Sequence, residues 1–130
     1  SATALLSVVE ISMLHSTMTQ KERKRAVKKL DVLFSKFIRK RDGRCLKCGK
    51  KDTLQCSHIA GRKSLAGRWN EKNAITLCTG CHLFWWHKEP VEASNWLKEN
   101  YPEYYQAALE VRRTTVKNLD LNELIVKYSE

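Results

Sequence analysis

Cys45, Cys48, Cys78 and Cys81 form two C-x-x-C pairs separated by 29 residues, and this spacing constrains the chain more than any other feature. Two residues between thiols let both sulfurs of a knuckle face one ion, and two such knuckles close a tetrahedral site. All-sulfur tetrahedral coordination suits zinc, with iron the lesser alternative. Such a site has no open position, so its ion serves structure and not catalysis. Cys56 stands outside the pattern and reads as a small, buried strand residue. Metal-spaced thiols, rather than a disulfide framework, also indicate a reducing compartment, so a cytoplasmic location is expected.

Helical periodicity brackets this frame. Thr19 followed by Glu22 reads as a capping box. Ala26, Val27, Leu30, Leu33, Phe34, Phe37 and Ile38 recur at helical spacing, which predicts one amphipathic helix over about 20–41, ended by Gly43. A shorter helix is expected over 3–14. The opening SATALLSVVEISML lacks a basic leader, contains Glu10 and is too short to span a bilayer, so neither a signal nor a membrane anchor is expected. Between the cysteine pairs the pattern is strand (about Thr53–Ile59), a loop with Gly61 and Gly67, and a second strand (about Ala74–Leu77). A helix then runs from Thr79 towards His87. Pro90 limits that helix, and further helices are expected over 91–100, 102–117 and 124–128, the last capped by Asp120. Trp85, Trp86 and Trp96 are expected to pack in the core. The fold expected is α+β and mainly helical, one domain of 130 residues. It comprises an N-terminal helical arm (1–43), a zinc-stabilised strand–strand–helix core (44–90) and C-terminal helices (91–130).

Charge points to a partner. The net charge is +10, and residues 1–51 carry 14 Lys/Arg against 4 Asp/Glu while residues 52–130 carry 10 against 10. An excess of this size calls for a polyanion, either nucleic acid or an acidic membrane surface. Its confinement to one stretch favours a phosphate-tracking face and nucleic acid. Arg23, Lys24 and Lys28 on the basic helix, with Arg62, Lys63 and Arg68 in the loop, are the expected phosphate contacts.

Inside the cysteine frame lie Cys56-Ser57-His58-Ile59, then Arg68-Trp69-Asn70 and Asn73, then Cys78-Thr79-Gly80-Cys81-His82. This run, over residues 45–90, resembles the HNH, or ββα-metal, endonucleases, and among them phage-type members such as the lambdoid NinG/Rap recombination nucleases. The resemblance implies a DNA endonuclease acting on duplex or branched DNA. His58 would be the general base, Asn73 would tie down the loop and orient the His58 ring, and His82 would hold a catalytic Mg²⁺ or Mn²⁺. Phosphodiester hydrolysis does need a base that titrates near neutrality and a cation to offset developing charge. Most members of the family carry a metal-binding Asp just before the base histidine. Here that position is Ser57, so the second ligand would be its hydroxyl or a water. On α-helical geometry His87 is a poor substitute, because five residues turn a helix by about 500°. The missing Asp also leaves room for a catalytically inactive zinc module that only binds nucleic acid, and, more remotely, for a zinc-ribbon scaffold that contacts proteins.

Overall fold

The computed structural model describes residues 18–129, so the helix expected over 3–14 lies outside the described residues. Helix α1 runs Gln20–Asp42. Its first turn is fixed by Thr19, whose Oγ1 accepts the Glu22 N–H at 3.1 Å. Gly43 ends it with φ 71°, a left-handed conformation that costs glycine little, and its N–H donates to Arg39 O. The stripe read from the sequence is the buried side: Leu30, Phe34 and Ile38 are enclosed, and Ala26, Val27, Leu33 and Phe37 pack around them. Arg23, Lys24 and Lys28 remain exposed.

The C-terminal end of α1 is stapled to the sheet. Asp42 Oδ2 accepts the Thr76 N–H at 2.9 Å, Thr76 Oγ1 donates to Ile38 O, and Arg41 donates to Glu71 O and Ala74 O. That sheet is a two-stranded antiparallel hairpin of β1 (Leu54–His58) and β2 (Ala74–Cys78), with Cys56 opposite Thr76 and His58 opposite Ala74. Every residue of β2 is buried. A pair of strands this short is marginal alone and needs packing on its faces. The connection between them holds a single helical turn, α2 (Leu65–Arg68), and a 3₁₀ turn, Glu71–Asn73. After β2 comes α3, with an α-helical turn Thr79–Cys81 that passes into a π-helical turn, His82–Trp86.

Helices α4 (Pro90–Asn100), α5 (Pro102–Arg113) and α6 (Leu121–Tyr128) complete the chain. Proline opens both α4 and α5, where its missing N–H costs no hydrogen bond. Asp120 caps α6 by accepting the Glu123 N–H. The expected helix over 102–117 stops at Arg113. Thr114 is extended, and the β-branched run Thr114, Thr115, Val116 opposes continuation. Each of these helices packs back on the rest of the fold. Leu97 of α4 packs with Cys45, Ile75, Leu77 and Cys78, while α6 lies on α1, where the Tyr128 ring meets Phe34 edge-on at 5.2 Å. Trp85, Trp86 and Trp96 pack against the Leu97 cluster, as expected. The fold is thus mainly helical around one small antiparallel sheet. Among the described residues no helix is long and apolar enough to cross a membrane.

Candidate active site

The cysteine frame closes as its spacing implies. The Sγ atoms of Cys45, Cys48, Cys78 and Cys81 lie within 4.8 Å of one another, with Cys48 and Cys78 at 3.7 Å. A tetrahedral zinc with bonds of about 2.3 Å requires sulfurs about 3.8 Å apart, so the four thiols fit that ion. Burial and the neighbouring Cys78, Cys48 and Cys45 thiols push Cys81 well above the ordinary thiol range. At Cys45 burial acts the same way but is outweighed by backbone N–H donors from Cys48, Cys78 and Lys47, which bring it to about 7. Cys56 takes no part. It is half-buried on β1, and burial drives its thiol up to about 12.

Three histidines line one cavity of about 390 Å³, together with Asp31, Phe34, Cys56 and Arg62. His58, at the end of β1, stacks on Phe34 at 5.7 Å, and its Nε2 donates to the Arg68 carbonyl at 2.8 Å. A carbonyl only accepts, so the proton sits on Nε2 and Nδ1 keeps its lone pair. Burial lowers the His58 pKa below 6.5, with Arg62 adding to the effect and the Arg68 carbonyl and Asp31 opposing it. The ring is therefore neutral at neutral pH.

His82 presents the opposite tautomer. Its Nδ1 lies 2.7 Å from Gln55 Oε1, which leaves the Nε2 lone pair outward. Burial and the neighbouring His87 and His58 lower its pKa also. His87 stands directly beyond, the two Nε2 atoms 3.0 Å apart. This departs from the helical-wheel expectation for His87, and the reason is the π turn. The His87 N–H donates to His82 O, a five-residue step that widens each turn and brings residues five apart onto one side. Two imidazole nitrogens each about 2.1 Å from one ion, at a right angle, are about 3.0 Å apart. The pair thus has the bite of a bidentate metal clamp, and Gln55 fixes the tautomer that such a clamp needs. Neither His87 nor Gln55 is a site residue on sequence reasoning. The signal available for the first is a histidine five residues after His82.

Asn73 ties down the loop as expected but does not touch the His58 ring, and Ser57 does not reach the cavity. Asn73 is fully buried and does not line the cavity. Its side chain holds the loop: Oδ1 accepts the Ala60 N–H at 2.9 Å, and Nδ2 donates to Ala60 O and Gly67 O. It is the Arg68 carbonyl instead that holds the His58 ring, by accepting its Nε2–H. Ser57 is also fully enclosed, its hydroxyl has no hydrogen-bond partner, and it is not among the cavity residues, so the structure does not bring it to His82.

Arg23, Lys24 and Lys28 line a neighbouring groove with Gln20, Val27, Asp31 and Arg68. Arg68 is held there by Asp31 at 2.6 Å, which offsets its charge for any phosphate. Arg62 stands exposed at the cavity, while Lys63, exposed in the same loop, lines neither feature. No family model matches the chain, no curated protein matches it in sequence, and no solved structure matches it in fold.

Proposed function

We propose that the chain is a metal-dependent endonuclease of the HNH, or ββα-metal, type that hydrolyses DNA phosphodiesters. One observation carries the reading: His58 with a bare Nδ1, and His82 with His87 at an Nε2 separation of 3.0 Å, line the same cavity. A base and a cation clamp on one cavity are the two parts phosphoryl hydrolysis requires. In this reading Nδ1 of His58 takes the proton of the attacking water, and His82 and His87 hold the divalent ion. When bound, that ion supplies positive charge to the phosphate and the leaving oxygen. Arg62 meets a phosphate at the cavity rim, and Arg23, Lys24 and Lys28 track the strand along the groove next to it. The structural zinc keeps β2 and α3 in register, so that the histidines stay in place.

Two imidazole ligands without a free carboxylate favour a transition-type ion over Mg²⁺, which prefers oxygen. Mn²⁺, Co²⁺ or Ni²⁺ should therefore support cleavage better than Mg²⁺. The same lack of a carboxylate ligand favours, as a second reading, a zinc-stabilised module that binds nucleic acid without cutting it. Nicking of supercoiled plasmid separates the two. The endonuclease should nick with Mn²⁺ and stop with EDTA. His58→Ala should lose about 10²–10⁴-fold in rate with DNA affinity unchanged, and His87→Ala should need more Mn²⁺. Wild-type protein that binds DNA but nicks it with none of these ions leaves the second reading.

A further inference from the structure

Asp31 belongs to α1, well outside the cysteine frame, yet it lines both the basic groove and the histidine cavity. Both of its carboxylate oxygens are engaged. Oδ1 accepts from Arg68 Nε and from Trp69 Nε1, each at 3.0 Å, and Oδ2 accepts from Arg68 Nη2 at 2.6 Å. Three donors thus converge on one carboxylate. Arg68 and Trp69 are consecutive, and the peptide unit between them carries the very carbonyl that accepts from His58 Nε2 at 2.8 Å. One carboxylate thus grips both side chains that flank that peptide.

At its nitrogen the same peptide is tied as well, the Trp69 N–H donating to Gly67 O, and the Trp69 side chain is buried in the core. Arg68 ends α2, a four-residue turn whose start has no side-chain cap. The Trp69 carbonyl, one peptide further on, is held by the Tyr128 hydroxyl at 2.7 Å, and Gly67 O, one peptide earlier, by Asn73. The peptide bearing Arg68 O lies between these two anchors, and the Asp31 fork is what fixes it from the side.

We propose that Asp31 is the positioning residue for His58: it orients the Arg68 carbonyl, and through it selects the ring tautomer that leaves Nδ1 bare towards the cavity. The same carboxylate is the one acidic side chain among the residues that line the groove or the cavity. Its removal should therefore have two effects of opposite sign. The ring loses its fixed orientation, while the groove gains a positive charge and a released Arg68. A residue that only supports the fold would weaken catalysis and binding together.

The positioning role stands on geometry alone, and only its cleavage consequence rests on the endonuclease reading, so the test has two arms. The first is ¹⁵N NMR of the histidine rings in the zinc-loaded full chain, without DNA or added divalent ion. Wild type should show His58 as a single neutral tautomer protonated at Nε2. Asp31→Asn and Asp31→Ala should show both tautomers, and Arg68→Ala, which keeps the carbonyl but loses the fork, should do the same. A single Nε2–H tautomer surviving in all folded variants overturns the proposal. The second arm measures DNA binding in EDTA and Mn²⁺-supported nicking. Asp31→Asn should bind a duplex several-fold more tightly while nicking about tenfold more slowly. Weaker binding, or an unchanged nicking rate despite mixed tautomers, also overturns it. A wild type that never nicks rejects the endonuclease reading and leaves the NMR arm to decide the role of Asp31.

Discussion

Replacing Asn73 with alanine should cost about 3–5 kcal/mol, a large part of the roughly 5–15 kcal/mol that holds a domain of this size. The side chain is wholly buried and makes three hydrogen bonds, but they are not equal in consequence. Among the described residues the Ala60 N–H and C=O have no other partner, and Ala60 is itself buried, so alanine strands two backbone groups away from water. Each such group costs about 1–3 kcal/mol. Gly67 O loses less, because it still accepts from the Asn70 N–H at 3.3 Å. Asn73→Asp separates this account from a simple void. It removes no volume, yet it sets a carboxylate oxygen against Ala60 O and Gly67 O, so it should destabilise at least as much as alanine. Urea denaturation followed by tryptophan fluorescence, at a fixed free zinc concentration, measures both variants against wild type. A loss below about 1 kcal/mol for alanine would mean that water replaces the amide, and that the side chain does not hold the loop.

The pH dependence of cleavage follows from His58, whose pKa burial holds below 6.5. The base acts when neutral, so the rate should rise with pH on the acid side and reach half its plateau below the ordinary histidine midpoint. An acid-limb midpoint above 6.5 in Mn²⁺ would contradict this. The sign for stability is parallel: the unfolded chain takes up the proton first, so the fold loses stability as pH falls from 6.5 towards the lower folded value. Metal analysis after dialysis should find one tightly held zinc per chain, and its removal by a strong chelator should unfold the hairpin. Folded protein without bound metal would refute a structural role for the four thiols. Charge reversal at Arg23, Lys24 and Lys28 should flatten the salt dependence of DNA binding by about 0.9 for each phosphate left unneutralised. An unchanged slope would place the strand elsewhere.

Local signals are legible where they act locally. Thr19 and Gly43 bound α1, the stripe from Ala26 to Ile38 is its buried side, and the two cysteine pairs meet. What escapes a reading of the sequence depends on interactions between distant segments. The π turn depends on hydrogen bonding that no helical wheel displays, and it reverses the expectation for His87. Gln55 lies on a strand, where a polar residue ordinarily faces solvent, and its value appears only once α3 sets His82 beside it. Asp31 sits on a helix whose charge reads as a phosphate-tracking face, and nothing in its neighbours predicts the fork to Arg68 and Trp69, which are 37 and 38 residues away. Ser57 is a candidate ligand only by its position beside His58, and it lies fully buried with its hydroxyl unpartnered.

The π turn at His82–Trp86 also makes the chain's length a variable of the site. Such a turn holds one residue more than the α-helical turn it replaces. Shortening the segment between the histidines by one residue would restore an ordinary helix and leave the two rings four apart, still on one face. Keeping the length but letting the segment relax into an α-helix would swing His87 away. The spacing and the winding are thus interchangeable only as a pair. A search for histidines four apart would pass over this chain, and a deletion that looks disruptive would be better tolerated than a substitution that straightens the turn.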